Sequence, residues 1–137
     1  MVKVFMGKQG SGKTKSLIDM VNVAVKAENG NVVCVERGQK LTYDINHAAR
    51  LIDIAVYPIV GGYDVLFGFV CGIYSENYDI SAIFIDSLFK VAGCSDQTEA
   101  AVFLDKLNEF GKANNVKFTI TISADTASAV DGIRKFF

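Results

Sequence analysis

Five short apolar runs along the chain predict β-strands. They are VKVF (residues 2–5), NVVCVE (31–36), LIDIAVY (51–57), SAIFID (81–86) and KFTITIS (117–123). Runs that are apolar at almost every position are typical of strands covered on both faces, and such strands occur in parallel sheets. The pattern therefore predicts about five strands that are mostly parallel.

Helical patterns fill the intervals between these runs. Residues 14–28 place Leu17, Val21 and Val25 on one face, and further helices are predicted over 63–78, 96–114 and 126–137. The third of them begins with Asp96 followed three residues later by Glu99, as a capping box would. Strands that alternate with helices in this way predict an α/β fold, a three-layer sandwich with right-handed crossovers. The 137 residues are predicted to form a single domain, residues 1–137.

The predicted helix over 63–78 is apolar nearly all round, which indicates either a buried helix or an interface helix. Gly68 and Gly72 form a GxxxG pattern in it, which predicts close helix packing within the domain. Its apolar run over 65–74 is well short of the roughly 20 residues that cross a bilayer. No membrane association is therefore expected.

The composition and net charge of the chain argue against several classes of binding partner and metal site. A net charge of -1 gives no general attraction to nucleic acids or acidic membranes, so no nucleic-acid partner is evident. Cys34, Cys71 and Cys94 are too far apart for a zinc or redox motif. Free thiols fit a reducing compartment, and the first residues lack a signal-peptide pattern, so we expect a cytoplasmic protein.

The first strand leads directly into MGKQGSGKTKS, which satisfies the pattern GxxxxGK(S/T) over residues 7–14, here called the glycine loop. Glycines allow a tight turn whose backbone N–H groups point inward, and the following helix aims its positive dipole end at the same place. Such a loop suits the phosphates of a nucleoside triphosphate. The residues expected to bind them are Gly7, Gly10, Ser11, Gly12, Lys13, Thr14 and Lys15.

In this loop the chain resembles the P-loop nucleoside triphosphatases. The resemblance implies a P-loop fold and a second element, a hydrophobic strand ending in an aspartate that holds Mg²⁺ through water. Asp86 stands at the end of such a strand. The expected magnesium residues are therefore Thr14 and Asp86, with Lys13 neutralising the phosphates. The alternative for Asp86 is a turn residue at the end of a strand.

Within that class the chain is most similar to RecA-like ATPases. The guanine motif NKxD is missing from the sequence, which favours ATP. RecA-like members carry a catalytic glutamate at the end of the strand after the loop helix, and Glu36 stands at that place. The strand over 117–123 is similar to their sensor strand, which implies Ser123 or Thr121 as the residue facing the terminal phosphate. The alternative for Glu36 is a solvated carboxylate paired with Arg37.

Mg²⁺-dependent ATP hydrolysis with Lys13, Glu36 and Ser123 in catalytic roles is thus the predicted function, and two alternatives stay open. A small-molecule kinase would need an acceptor site, for which residues 37–50 offer Arg37, Lys40 and Arg50. A non-hydrolysing assembly module is suggested by Ser87, which stands where many ATPases have a glutamate. Its site would be completed by a protein partner or another subunit of a homo-oligomer, for example through an arginine.

Overall fold

A computed structural model describes residues 1–59 and 61–137 and contains one five-stranded sheet. Its strands are β1 (Val2–Gly7), β2 (Asn31–Glu36), β3 (Arg50–Asp53), β4 (Ile80–Ile85) and β5 (Lys117–Ser123). They lie in the order β1-β5-β4-β2-β3, and every neighbouring pair is parallel. The carboxyl ends of the strands consequently meet along one edge of the sheet. The prediction of an α/β fold built on a parallel sheet is confirmed.

The described residues form five α-helices: α1 (Lys13–Ala27), α2 (Gly62–Glu76), α3 (Leu88–Ala92), α4 (Gln97–Asn114) and α5 (Asp131–Arg134). Helix α4 begins as its sequence predicts, because a side-chain oxygen of Asp96 accepts a 3.0 Å hydrogen bond from the Glu99 N–H. Helix α3 was not predicted, since five residues are too few to display helical periodicity. It starts after Ser87, whose backbone is left-handed with φ of 58°.

Two separate sets of apolar side chains cover the two faces of the sheet. Along β2, Val32 and Cys34 pack with Leu17 and Val21 of α1, whereas Val33 and Val35 belong to the core on the opposite face. The residues that α2, α3, α4 and α5 contribute to that second core include Leu66, Val70, Leu88, Phe103, Leu107 and Ile133. This arrangement is consistent with the three-layer sandwich. It explains why the strands are apolar at consecutive positions rather than alternate ones.

Two predicted elements were too long. The run over 51–57 remains a strand only through Asp53 and then turns into a 3₁₀-helix, because the Asp53 side chain accepts a hydrogen bond from the Ala55 N–H. The helix predicted over 126–137 is interrupted. A 3₁₀-helix capped by Asp125 ends at Ser128, the chain is extended at Val130, and only α5 is α-helical.

Helix α2 corrects the interpretation of its GxxxG pattern. Among the described residues, a Cβ atom built at Gly68 or Gly72 would meet nothing within 4 Å outside the helix's own nearby backbone. The buried residues of α2 are Tyr63, Leu66 and Val70, on the opposite side of the helix. The two glycines therefore do not mediate close packing within this domain. Among the residues that the structure describes, no helix has the length and apolarity needed to cross a membrane.

Candidate functional site

A cleft of about 500 Å³ lies at the carboxyl edge of the sheet, where the glycine loop follows β1. The strand order places the ends of β1, β5, β4 and β2 side by side along this edge. The cleft is lined by Gln9, Gly10, Gly12, Lys13, Thr14, Lys15, Glu36, Arg37, Lys40, Asp86, Ser87, Phe89, Lys90 and Ser123. Most of the site residues predicted from sequence are thus brought together, although they come from four different strand ends.

The glycine loop has the geometry of an anion site. Gly10 and Gly12 have φ of 85° and 89°, a region that residues with a side chain rarely adopt. Helix α1 starts at Lys13 with no side-chain cap and no acidic residue in its first turn. Its first N–H groups therefore lack intrahelical partners and, together with the helix dipole, favour a negatively charged ligand.

The Lys13 side chain lies over the loop. Its Nζ donates a 3.0 Å hydrogen bond to the backbone carbonyl of Lys8 and lies 3.4 Å from the hydroxyl of Ser11. The predicted contacts Gly7 and Ser11 are not among the lining residues of the main cleft. They line a neighbouring cavity of about 560 Å³ that shares Gly12 and Lys13 with it.

The Asp86 carboxylate is held by two threonines. Thr14 Oγ1 lies 3.4 Å from each of its oxygens, and Thr121 Oγ1 donates a 2.7 Å hydrogen bond to Oδ1. The Thr121 hydroxyl also accepts a 2.8 Å hydrogen bond from the Ser87 N–H. Asp86 is only 8% exposed. The carboxylate is therefore positioned beside the start of α1 rather than free in a surface turn.

These groups fit a magnesium ion. The Thr14 hydroxyl and the Asp86 carboxylate are both hard oxygen donors, which Mg²⁺ prefers. Within residues 1–59 and 61–137, no group of three or more His, Cys, Asp and Glu side chains could hold a metal by itself. Mg²⁺ sites in proteins commonly use one or two protein groups together with substrate phosphates and several waters.

Glu36 is buried at the end of β2, with 3% of its surface exposed. It accepts a 3.2 Å hydrogen bond from the Leu41 N–H. Burial raises the pKa of Glu36 above its usual range, the N–H groups of Leu41 and Lys40 lower it, and the nearby carboxylates of Asp86 and Asp53 raise it further. The alternative of a solvated carboxylate is therefore wrong.

The two candidates on β5 have different surroundings. Thr121 is buried and bonded to Asp86, whereas Ser123 is exposed at the end of the strand and lines the cleft. In the sheet register Ser123 lies beside Gly7, and the next residue, Ala124, donates its N–H to the Gly7 carbonyl. Thr121 thus positions a carboxylate, while Ser123 faces the space in front of the glycine loop.

Three cationic side chains that the ATP-site prediction did not include also line the cleft. Its lining contains five positively charged side chains and two carboxylates, although the whole chain has a net charge of -1. Lys90 comes from the unpredicted helix α3, and Arg37 and Lys40 come from the loop after β2. Arg50, suggested with them as an acceptor ligand, begins β3 and lines a different cavity. Arg50 therefore does not line the same cleft as Arg37 and Lys40.

No protein-family model matches the chain, and no curated protein matches it either. Its function has to be inferred from the fold and the cleft.

Proposed function

We propose that the chain is a P-loop ATPase of RecA-like type that binds and hydrolyses Mg·ATP in this cleft. The observation that carries the proposal is the meeting of a glycine loop, a threonine–aspartate pair and a buried glutamate in one cation-rich cleft. The order of the strand ends adds support, because Asp86 and Ser123 stand between the loop and Glu36.

The phosphates are assigned to the glycine loop and the start of α1. Unpaired N–H groups there donate to phosphate oxygens, and the Lys13 ammonium neutralises their charge. Among residues 1–59 and 61–137, Lys13 bonds only to a backbone carbonyl and a hydroxyl, so it can exchange these acceptors for phosphate oxygens. Thr14 and Asp86 would hold the magnesium ion, which supplies further neutralisation of the phosphate oxygens.

Glu36 is assigned to the attacking water. Its carboxylate accepts a hydrogen bond from the water and takes the proton as the water oxygen bonds to the γ-phosphorus. The bond from that phosphorus to the bridging oxygen breaks, and ADP leaves with the electron pair. A raised pKa makes a carboxylate a better proton acceptor, which suits this role.

Binding is tested by calorimetry with Mg·ATP on the wild type, on Lys13→Ala and on Lys26→Ala. Lys26 is an exposed lysine in the last turn of α1 and serves as a matched control for the lost charge. We expect Lys13→Ala to lose binding and Lys26→Ala to bind as the wild type does. Absence of any heat with the wild type would refute the proposal.

Turnover is tested by phosphate release together with oligomer size. Glu36→Gln should bind Mg·ATP normally and release phosphate more slowly, while equal turnover would remove Glu36 from the mechanism. Nucleotide-dependent assembly without phosphate release in the wild type would favour the non-hydrolysing assembly module instead.

A specific observation favours a kinase as the second candidate. A second cleft of about 460 Å³ meets the first at Glu36, and its mixed lining includes the polar side chains of Thr42, Asn46, His47 and Asp53. A hydroxyl-bearing acceptor there would place its oxygen near Glu36, where water is assigned in hydrolysis. Phosphate transferred to an added metabolite, in place of released phosphate, would support this candidate.

A further inference from the structure

Arg37 is the first residue after the buried Glu36, and it lines the same cleft as residues of the glycine loop. The strand order separates the end of β2 from the end of β1 by two intervening strands. Arg37 and Lys13 nevertheless line the same cleft. A polyphosphate that starts at the glycine loop and extends along the carboxyl edge therefore points toward Arg37.

The Arg37 side chain is tethered through its Nε atom. Its Nε donates a 3.1 Å hydrogen bond to the backbone carbonyl of Lys90 in α3. The backbone beyond it is also fixed, because the Gly38 N–H donates a 2.8 Å hydrogen bond to Oδ1 of Asp53. The Nε bond orients the planar guanidinium and leaves the terminal N–H groups to face oxygen acceptors.

The other two cationic side chains near Arg37 in the cleft are more exposed to solvent. Lys40 and Lys90 are exposed, whereas Arg37 is half-buried. Within the part of the chain that the structure describes, Arg37 forms no ion pair with a carboxylate, so its charge is not already neutralised.

We propose that Arg37 is the catalytic cation that neutralises the transferred phosphoryl group, supplied by the same chain. The inference rests on the proposed ATP chemistry and deepens it. When the bond to the bridging oxygen breaks, negative charge develops on that oxygen and on the phosphoryl oxygens, and Arg37 faces this charge. An arginine from another subunit is then not needed to complete the site.

The test compares the wild type with Arg37→Ala, Arg37→Gln, Arg37→Lys and a control, Arg50→Ala, which removes an arginine at the other end of the sheet. Two affinities are measured by calorimetry, one for Mg·ADP and one for Mg·ADP with aluminium fluoride, which imitates the transferred phosphoryl group. Arg37→Gln can retain a donor for the Lys90 carbonyl, so it separates loss of charge from loss of the tether. Turnover is measured on the same proteins.

We expect all five proteins to bind Mg·ADP with affinities within about threefold, since Arg37 is assigned to the terminal phosphoryl group only. The three Arg37 variants should lose the additional affinity given by aluminium fluoride, and their turnover should fall by about 10³-fold or more, the usual size of an arginine contribution. Lysine should not rescue, because it lacks the planar fork.

Two results would overturn the assignment of Arg37 while ATP binding stands. One is wild-type behaviour of Arg37→Gln with the aluminium fluoride complex. The other is a wild type whose affinity for ADP is not increased by aluminium fluoride. A wild type that binds neither ADP nor ATP refutes the proposed function itself, and the two failures are thus distinguishable.

Discussion

The hydroxyl of Thr121 donates a 2.7 Å hydrogen bond to Asp86, and the same oxygen accepts the N–H of the next residue, Ser87, at 2.8 Å. One buried hydroxyl therefore fixes both the carboxylate and the turn that follows β4. The hydroxyl itself is shielded from solvent, since Thr121 is 1% exposed.

Replacing Thr121 with Val should cost about 1–3 kcal/mol of the free energy of unfolding, because it removes both hydrogen bonds of a buried hydroxyl. It should also weaken Mg·ATP binding, because Asp86 is no longer held. Thr121→Ser keeps the hydroxyl and should restore affinity. Thr119→Val is the control on the same strand and face, and its effect on Mg·ATP affinity should be small. Chemical denaturation and calorimetry measure the two effects, and an unchanged affinity in Thr121→Val would contradict the positioning role.

The raised pKa of Glu36 predicts how stability depends on pH. The folded state binds the Glu36 proton more tightly than the unfolded state, whose carboxyl has the usual value of 4.5. The stability associated with this proton is therefore present below pH 4.5 and is lost as pH rises through the higher folded pKa. Glu36→Gln should accordingly be more stable than the wild type at neutral pH and similar below pH 4.5.

Urea denaturation of the two proteins across this pH range measures the difference. Since glutamine can still accept the Leu41 N–H, the comparison isolates the charge. If the wild type is as stable as Glu36→Gln at neutral pH, the ionised Glu36 carboxylate does not destabilise the folded protein, and the prediction is contradicted.

Gly12 should tolerate no side chain without loss of function. Its φ of 89° is strained for alanine, at a cost of about 1–3 kcal/mol, and relief of that strain would move the start of α1. Gly12→Ala should therefore lose both stability and Mg·ATP binding. Gly93→Ala is the matched control, because Gly93 has φ of 69° at the end of α3 and should lose stability alone. Equal affinity for Mg·ATP in the two variants would argue against the glycine loop as the phosphate site.

A glycine-to-alanine substitution should have opposite effects on stability in helices α2 and α4. Gly68 in α2 has open space around its Cβ position, so Gly68→Ala should stabilise the protein by about 0.5–1 kcal/mol through helix propensity. Gly111 in α4 is buried, and a Cβ there would collide with the backbone of Met1 and Val116. Gly111→Ala should therefore destabilise by about 1–3 kcal/mol. Thermal unfolding of both variants gives the signs, and stabilisation by Gly111→Ala would contradict the close approach at that site.

Local sequence patterns were sufficient to predict the strands, three of the helices and the glycine loop, because each of these depends on residues adjacent in the chain. The strand β2 has the predicted bounds, and the Asp96 cap lies where its local pattern indicates. Competition between a side chain and the backbone for local hydrogen bonds explains why the third strand was predicted too long. The Asp53 side chain binds a backbone N–H and ends its strand early, a choice that apolar periodicity does not reveal.

The strand order and the surroundings of each charged side chain depend on tertiary packing, which local sequence patterns do not specify. Pairing β5 with both β1 and β4 brings Thr121 to Asp86 across 35 positions of the chain, and burial of Glu36 raises its pKa. The tether of Arg37 to Lys90 depends on a helix too short to show periodicity. Such relationships arise from packing between distant segments, and hydrophobic pattern specifies that a face is buried without specifying what buries it.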